Sequence, residues 1–112
     1  MQQNDLIRLR HMLDAAKEAK SFVRGKDRKD LHTDRQLALA LVKSIEIIGE
    51  AASKVSDKCR DDLPQIPWRS IIGMRNRLIH AYFDINRDIL WMTVIEDLPP
   101  LISQLEGIIK AS

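Results

Sequence analysis

Arg75, His80 and Tyr82 are spaced as Arg-x4-His-x-Tyr within Met74-Arg75-Asn76-Arg77-Leu78-Ile79-His80-Ala81-Tyr82-Phe83, in an otherwise apolar segment with helical spacing. A permanent guanidinium, an imidazole that titrates near neutrality and a phenol are tools for gripping a phosphodiester and moving protons around it. From residue 63 to residue 83 the chain carries Arg69, Arg75 and Arg77 and no carboxylate, so an anion is the expected guest.

In a helix that advances about 100° per residue, Asn76 and His80 share a face, whereas Arg75 and His80 point about 140° apart. Arg75 falls instead on the apolar stripe of Trp68, Ile71, Ile72, Leu78, Ile79 and Tyr82. A guanidinium buried there without a partner would be costly, and Glu46 and Glu50 are the candidate carboxylates. One helix cannot converge all these groups, so a site completed at a helix or subunit boundary is expected. Two copies of the segment would then surround one phosphate. His80 would act as general acid or base and Arg75 would stabilise charge on the phosphate oxygens. Asn76 would orient His80 or donate to phosphate, Arg77 would guide a phosphate backbone, and Glu50 would support the site. Spacing alone also fits a plainer arrangement, in which Arg75 ties helices together and His80 closes a helix end.

The elements that must hold these residues are helical. Leu6, Leu9, Met12, Leu13, Ala16, Ala19, Phe22 and Val23 follow three-and-four spacing, and Gly25 can end that helix in a left-handed conformation. Thr33-Asp34-Arg35-Gln36 matches a capping box, predicting a second helix from Thr33 to about residue 57. Gly49, Ala51 and Ala52 keep part of its surface thin enough for another helix to come close. Lys58 to Ile66 reads as a connector. Pro67 suits the first turn of a third helix, within which Gly73 suggests a close backbone approach. Asn86 is the expected N-cap of a fourth, with Ile85 and Leu90 at hydrophobic-staple spacing. Pro99-Pro100 should kink or restart it before the last piece buries Leu101, Ile102, Leu105, Ile108 and Ile109. No alternation of strand type is evident. The expected fold is therefore all-α, a single domain over residues 1–112, built as an up-and-down bundle of four to five helices with the last kinked at Pro99-Pro100.

Composition excludes several other functions. The 112 residues suffice for one core, and 18 Lys and Arg against 16 Asp and Glu leave a net charge of only +2. Non-specific nucleic-acid binding cannot rest on that total, so local clustering carries the argument. Lys17, Lys20, Arg24, Lys26, Arg28 and Lys29 form a second basic cluster, equally explained as a solvated face. His11 and His32 have no partner pattern and read as surface residues. The single cysteine, Cys59, and the absence of an apolar leader favour a cytoplasmic location. No apolar run approaches the roughly 18 residues a membrane helix needs. Metal-ligand spacings, a nucleophile elbow and a glycine-rich phosphate loop are all missing, so neither metal nor cofactor is expected. Trp68 and Trp91 read as core anchors.

The run Pro67-Trp68-Arg69-Ser70-Ile71-Ile72-Gly73-Met74-Arg75-Asn76-Arg77-Leu78-Ile79-His80-Ala81-Tyr82-Phe83 resembles the signature of HepT-like toxins of the HEPN superfamily. Ile45-Glu46-Ile47-Ile48-Gly49-Glu50-Ala51-Ala52 and Asp97-Leu98-Pro99-Pro100-Leu101 extend the likeness over roughly residues 1 to 110. The resemblance implies a homodimer whose composite cleft gathers two Arg-x4-6-His motifs. It further implies metal-independent RNA cleavage with Arg75 and His80 as the catalytic pair, in a type VII toxin-antitoxin system. Tyr82 would accept AMP from a MntA-type nucleotidyltransferase antitoxin, the plainer reading of the residue being base stacking or a partly buried phenol, and tRNA or mRNA would be the substrate. The competing expectation is a non-catalytic HEPN module that binds nucleotides or its partner through the same basic cleft.

Overall fold

The computed structural model describes residues 1–81 and 84–112, the side chains of His80 and Ala81 excepted. Tyr82 and the imidazole of His80, both central to the expectations above, thus lie outside the described residues.

Helix α1 (Gln3–Phe22) ends where predicted, and Gly25 beyond it adopts φ +74°, a conformation that L side chains rarely take. A short helix α2 (Arg28–Thr33) follows. It occupies the charged stretch expected as a loop, because Asp27 and Asp30 form a reciprocal capping box. That box displaces the one expected at Thr33. Thr33 closes α2, and Asp34 caps α3 (Arg35–Ser53) by accepting the Leu37 N–H at 3.0 Å.

Leu37, Leu41, Ile45, Ile48 and Ala52 form the buried stripe of α3, each large aliphatic side chain contributing roughly 1.5–3 kcal/mol on burial. Helix α1 packs along α3 and also against α8 (Leu98–Ala111). The first two run antiparallel, since Asp5 near the start of α1 meets Ser56 just after the end of α3. The Ser56 N–H and hydroxyl donate to the Asp5 carboxylate at 2.8 and 2.7 Å. Ser56 is also the N-cap of α4 (Asp57–Asp62), in the expected connector, and accepts the Cys59 N–H at 3.2 Å.

The expected third helix is not continuous. It splits at Gly73 into α5 (Trp68–Ile72) and α6 (Met74–Leu78), and then the backbone becomes extended at Ile79, φ −115° and ψ 108°. Strand β1 (Ile79–Ala81) pairs antiparallel with β2 (Asp84–Ile85), a small hairpin added to an all-α bundle. A helical period therefore does not carry through to His80, and the shared helical face of Asn76 and His80 is withdrawn. Gly49 is where the chain comes close: a Cβ there would sit 3.4 Å from the Ile71 carbonyl and 3.6 Å from that of Ile72. At Gly73 a Cβ would meet only the preceding turn of its own segment, the Arg69 carbonyl at 3.3 Å.

Asn86 caps α7 (Arg87–Met92) as expected, accepting the Ile89 N–H at 3.0 Å, with Ile85 and Leu90 both buried. A wider π-helical turn, Thr93–Asp97, leads into α8. Pro99 and Pro100 lie in the first turn of α8, where a missing N–H costs little. The prolines thus restart the helix, and the distortion falls in the turn before them. Trp68 and Trp91 pack against the core, and the Trp68 indole donates to the Leu63 carbonyl at 3.0 Å. Among the described residues no helix is long and apolar enough to cross a membrane.

Candidate active site

Met74 and Leu78, four apart, are buried and fasten α6 to the bundle, which turns Arg75, Asn76 and Arg77 outward. Arg75 is accordingly not on a buried stripe, because the break at Gly73 resets the register that linked it to Trp68 and Ile71. Its side chain is 52% exposed, and Nε donates to Oε1 of Glu46 at 3.0 Å. Of the two candidate carboxylates it is Glu46 that pairs with Arg75; Glu50 pairs with Lys54 at 3.2 Å.

An ion pair this exposed contributes about 1 kcal/mol or less to stability. Its consequence is orientation. Nε is committed to Glu46, and for the terminal nitrogens no hydrogen bond is found among the described residues; a guanidinium so placed offers a planar fork that matches an anion.

Arg75, Glu46 and Glu50 line one groove of about 540 Å³ between α1, α3 and the α5–α6 segment. Arg8 and His11 of α1 and Lys43 of α3 line it too. His11, expected as an isolated surface residue, lies in this groove through a packing of α1 on α3 that no local pattern encodes. Asn76 and Arg77 open on a different groove of about 470 Å³, whose walls include Ile89, Met92 and Glu96. The Arg77 guanidinium also donates to the Ser70 carbonyl at 3.1 Å. Within the chain, then, Arg75 and Glu50 share a groove, while Asn76 and Arg77 face another.

The hairpin that carries His80 in its backbone leads into α7, which is tied to α2. Arg87 Nε donates to the Leu31 carbonyl at 2.8 Å, and Asp88 accepts from Arg28 at 3.0 Å and contacts His32 Nε2 at 3.2 Å. The hydrogen bonds from Arg28 and then His32 hold the Asp88 carboxyl below its ordinary value. At the strand itself, the Asn86 N–H donates to the Leu78 carbonyl at 2.7 Å. Among the described residues no group of three or more His, Cys, Asp or Glu is placed to hold a metal ion.

A short arginine-bearing helix, set on a bundle of long helices and followed directly by the His80 segment, defines an all-α protein of HEPN type. The chain belongs to the HepT-like family, described as "Ribonuclease HepT-like", whose sequence profile matches residues 12–108. It is 36% identical over 102 residues to a protein of Caldanaerobacter subterraneus subsp. tengcongensis named "Putative RNase", spanning 91% of each chain. To "Probable ribonuclease HepT" of Thermococcus cleftensis it is 35% identical over 102 residues, 91% of this chain and 93% of that one. A "Putative RNase" of Methanocaldococcus jannaschii is 33% identical over 95 residues, covering 85% of this chain and 87% of that protein. No solved structure matches the chain.

Proposed function

We propose that the protein is an endoribonuclease of HepT type, acting as a homodimer, with Arg75 and His80 as the catalytic pair and no metal or cofactor in the reaction. The observation that carries this reading is the exposed Arg75 guanidinium, aimed by Glu46 and five residues ahead of an imidazole on the adjoining strand. Family membership supplies the class of reaction.

In this scheme one His80 takes the proton of an RNA 2'-hydroxyl. The oxygen attacks the neighbouring phosphorus, the bond to the 5'-oxygen breaks, and the second protomer's His80 gives that oxygen a proton. The products are a 2',3'-cyclic phosphate and a free 5'-hydroxyl. Arg75 stabilises the charge that builds on the non-bridging oxygens. Asn76 and Arg77 hold flanking phosphates from the second groove, and Glu50 fixes the cationic wall opposite Arg75 through Lys54. Ile89 and Met92, 37% and 46% exposed beside Asn76 and Arg77, are the apolar surface a second copy would cover.

The protein would be the toxin of a type VII toxin-antitoxin pair, with a MntA-type nucleotidyltransferase as antitoxin. Transfer of AMP to the Tyr82 phenol, with release of pyrophosphate from ATP, would place an anion beside the cleft and repel RNA. The deciding experiment is incubation of purified wild-type and His80→Ala proteins with total RNA. Cleavage by the wild type and none by the variant is expected; equal cleavage by both, or by neither, would refute the assignment. Mass spectrometry of Tyr82 after co-expression with the nucleotidyltransferase tests the second half, an unmodified tyrosine in a neutralised toxin being the contrary result.

A further inference from the structure

We propose that the groove between α1 and α3 is a phosphate track for the single RNA strand, leading to and away from Arg75, with Arg8, His11 and Lys43 as its contacts. This rests on the ribonuclease reading and extends it from the scissile linkage to the strand around it.

The charges in the groove are not balanced. Its two carboxylates are already engaged, Glu46 by Arg75 at 3.0 Å and Glu50 by Lys54 at 3.2 Å. Arg8 and Lys43 line the same concavity and make no ion pair among the described residues, and His11 stands one turn from Arg8 on α1. Two uncommitted cations and an imidazole therefore face a floor of apolar and small residues, Ile45, Gly49, Ala51 and Ile72. Low-dielectric walls of that kind strengthen the attraction of an anion above them.

The dimensions suit a strand. From Lys43 to Lys54 the helix rises about 16 Å at about 1.5 Å per residue, the length of roughly five stacked nucleotides at about 3.4 Å per step. Long cationic side chains along a shallow trough contact phosphates without reading base edges, so the track gives affinity and register rather than sequence choice. A protein partner would call for a central apolar anchor. In this groove Ile47 is the one large exposed apolar side chain, whereas Ile89 and Met92 lie together in the other.

The test uses a short single-stranded RNA labelled at its 5' end, bound to the full-length protein in a His80→Ala background so that it is not cut. Anisotropy titrations between about 50 and 200 mM KCl give the slope of log affinity against log salt. Removing two phosphate contacts with Arg8→Ala and Lys43→Ala together should lower that slope by about 1.4, at roughly 0.7 per contact for single strands. A Lys26→Ala, Lys29→Ala control, outside the groove, should leave it unchanged. An unchanged slope in the Arg8, Lys43 variant overturns the track, as does an equal loss in the control. RNA binding left intact while binding to the nucleotidyltransferase is lost overturns it too, and makes the groove a protein interface. A wild type that cuts RNA while the slope stays fixed removes the track alone. A wild type that cuts nothing, yet shows the slope change, removes the catalytic reading alone. No RNA binding at all removes both.

Discussion

Arg75, given a catalytic role in the proposed reaction, would owe little of its value to stability. Its pair with Glu46 is half exposed, so Arg75→Ala should change the melting temperature negligibly. Loss of a preorganised donor to a developing oxyanion typically costs 10²- to 10³-fold, and a drop of about that size in the single-turnover cleavage rate is expected. Arg75→Lys should recover little, because an ammonium cannot reproduce the fork. A lysine variant that cleaves as fast as the wild type would sink the role given to the guanidinium. Asp5 is the opposite case, a buried carboxylate with a structural task. The Ser56 N–H, ahead of its hydroxyl, holds the Asp5 carboxyl below its ordinary value, against the upward pull of burial. A carboxyl depressed in the folded state stabilises fully above its unfolded value, about 3.9, and loses that contribution as pH falls through the lower folded one. Asp5→Ala should therefore lower stability at pH 7 by about 1.5–3 kcal/mol, the net worth of a hydrogen bond to a charged group. The gap between variant and wild type in urea unfolding should close as the pH is taken toward 2.

At the scale of elements, Gly49 sets how closely α5 approaches α3. Its added Cβ would make ordinary contact with the Ile71 and Ile72 carbonyls, and alanine is the better helix former by about 1 kcal/mol. Gly49→Ala should leave thermal stability equal or raised and RNA cleavage intact. Gly49→Leu should push α5 and α6 away, separating Arg75 from Glu46 and lowering cleavage while the bundle still folds; normal cleavage by the leucine variant would contradict this. The long elements were legible because their signals are local: the apolar stripe of α3, the left-handed Gly25, the Asn86 cap. Thr33 and Asp34 are both cap residues side by side, and only the competing Asp27–Asp30 box of α2 decides between them. The break of the third helix was not legible, since Ile71, Ile72, Leu78 and Ile79 fit a continuous stripe equally well. What ends α6 is the pairing of Ile79 with Ile85, six residues ahead. For the site, Glu46 and Glu50 were expected as partners of Arg75 because it was placed on a buried stripe, whereas its side chain is half exposed. The choice of Glu46, and the arrival of His11 in the same groove, depend on contacts between helices that no local pattern encodes.

At the scale of the whole molecule, the chain is an elongated body, 43 × 29 × 19 Å, whose exposed Ile89 and Met92 sit apart from the groove of Arg75. If two copies meet through that surface, Met92→Glu should convert a dimer into a monomer of 12.9 kDa in sedimentation equilibrium and abolish cleavage together with it. A monomeric wild type would dismiss the composite cleft. The Asp5–Ser56 contact has one more consequence. Directly behind it Cys59 is buried, and burial first, then the charges of Asp5 and Asp62, push its thiol above the ordinary value. A protonated, covered thiol reacts only when the first and fourth helices part. The chain thus carries its own clock for local breathing: the rate at which a maleimide dye attaches to this one sulfur counts how often the amino-terminal corner springs open.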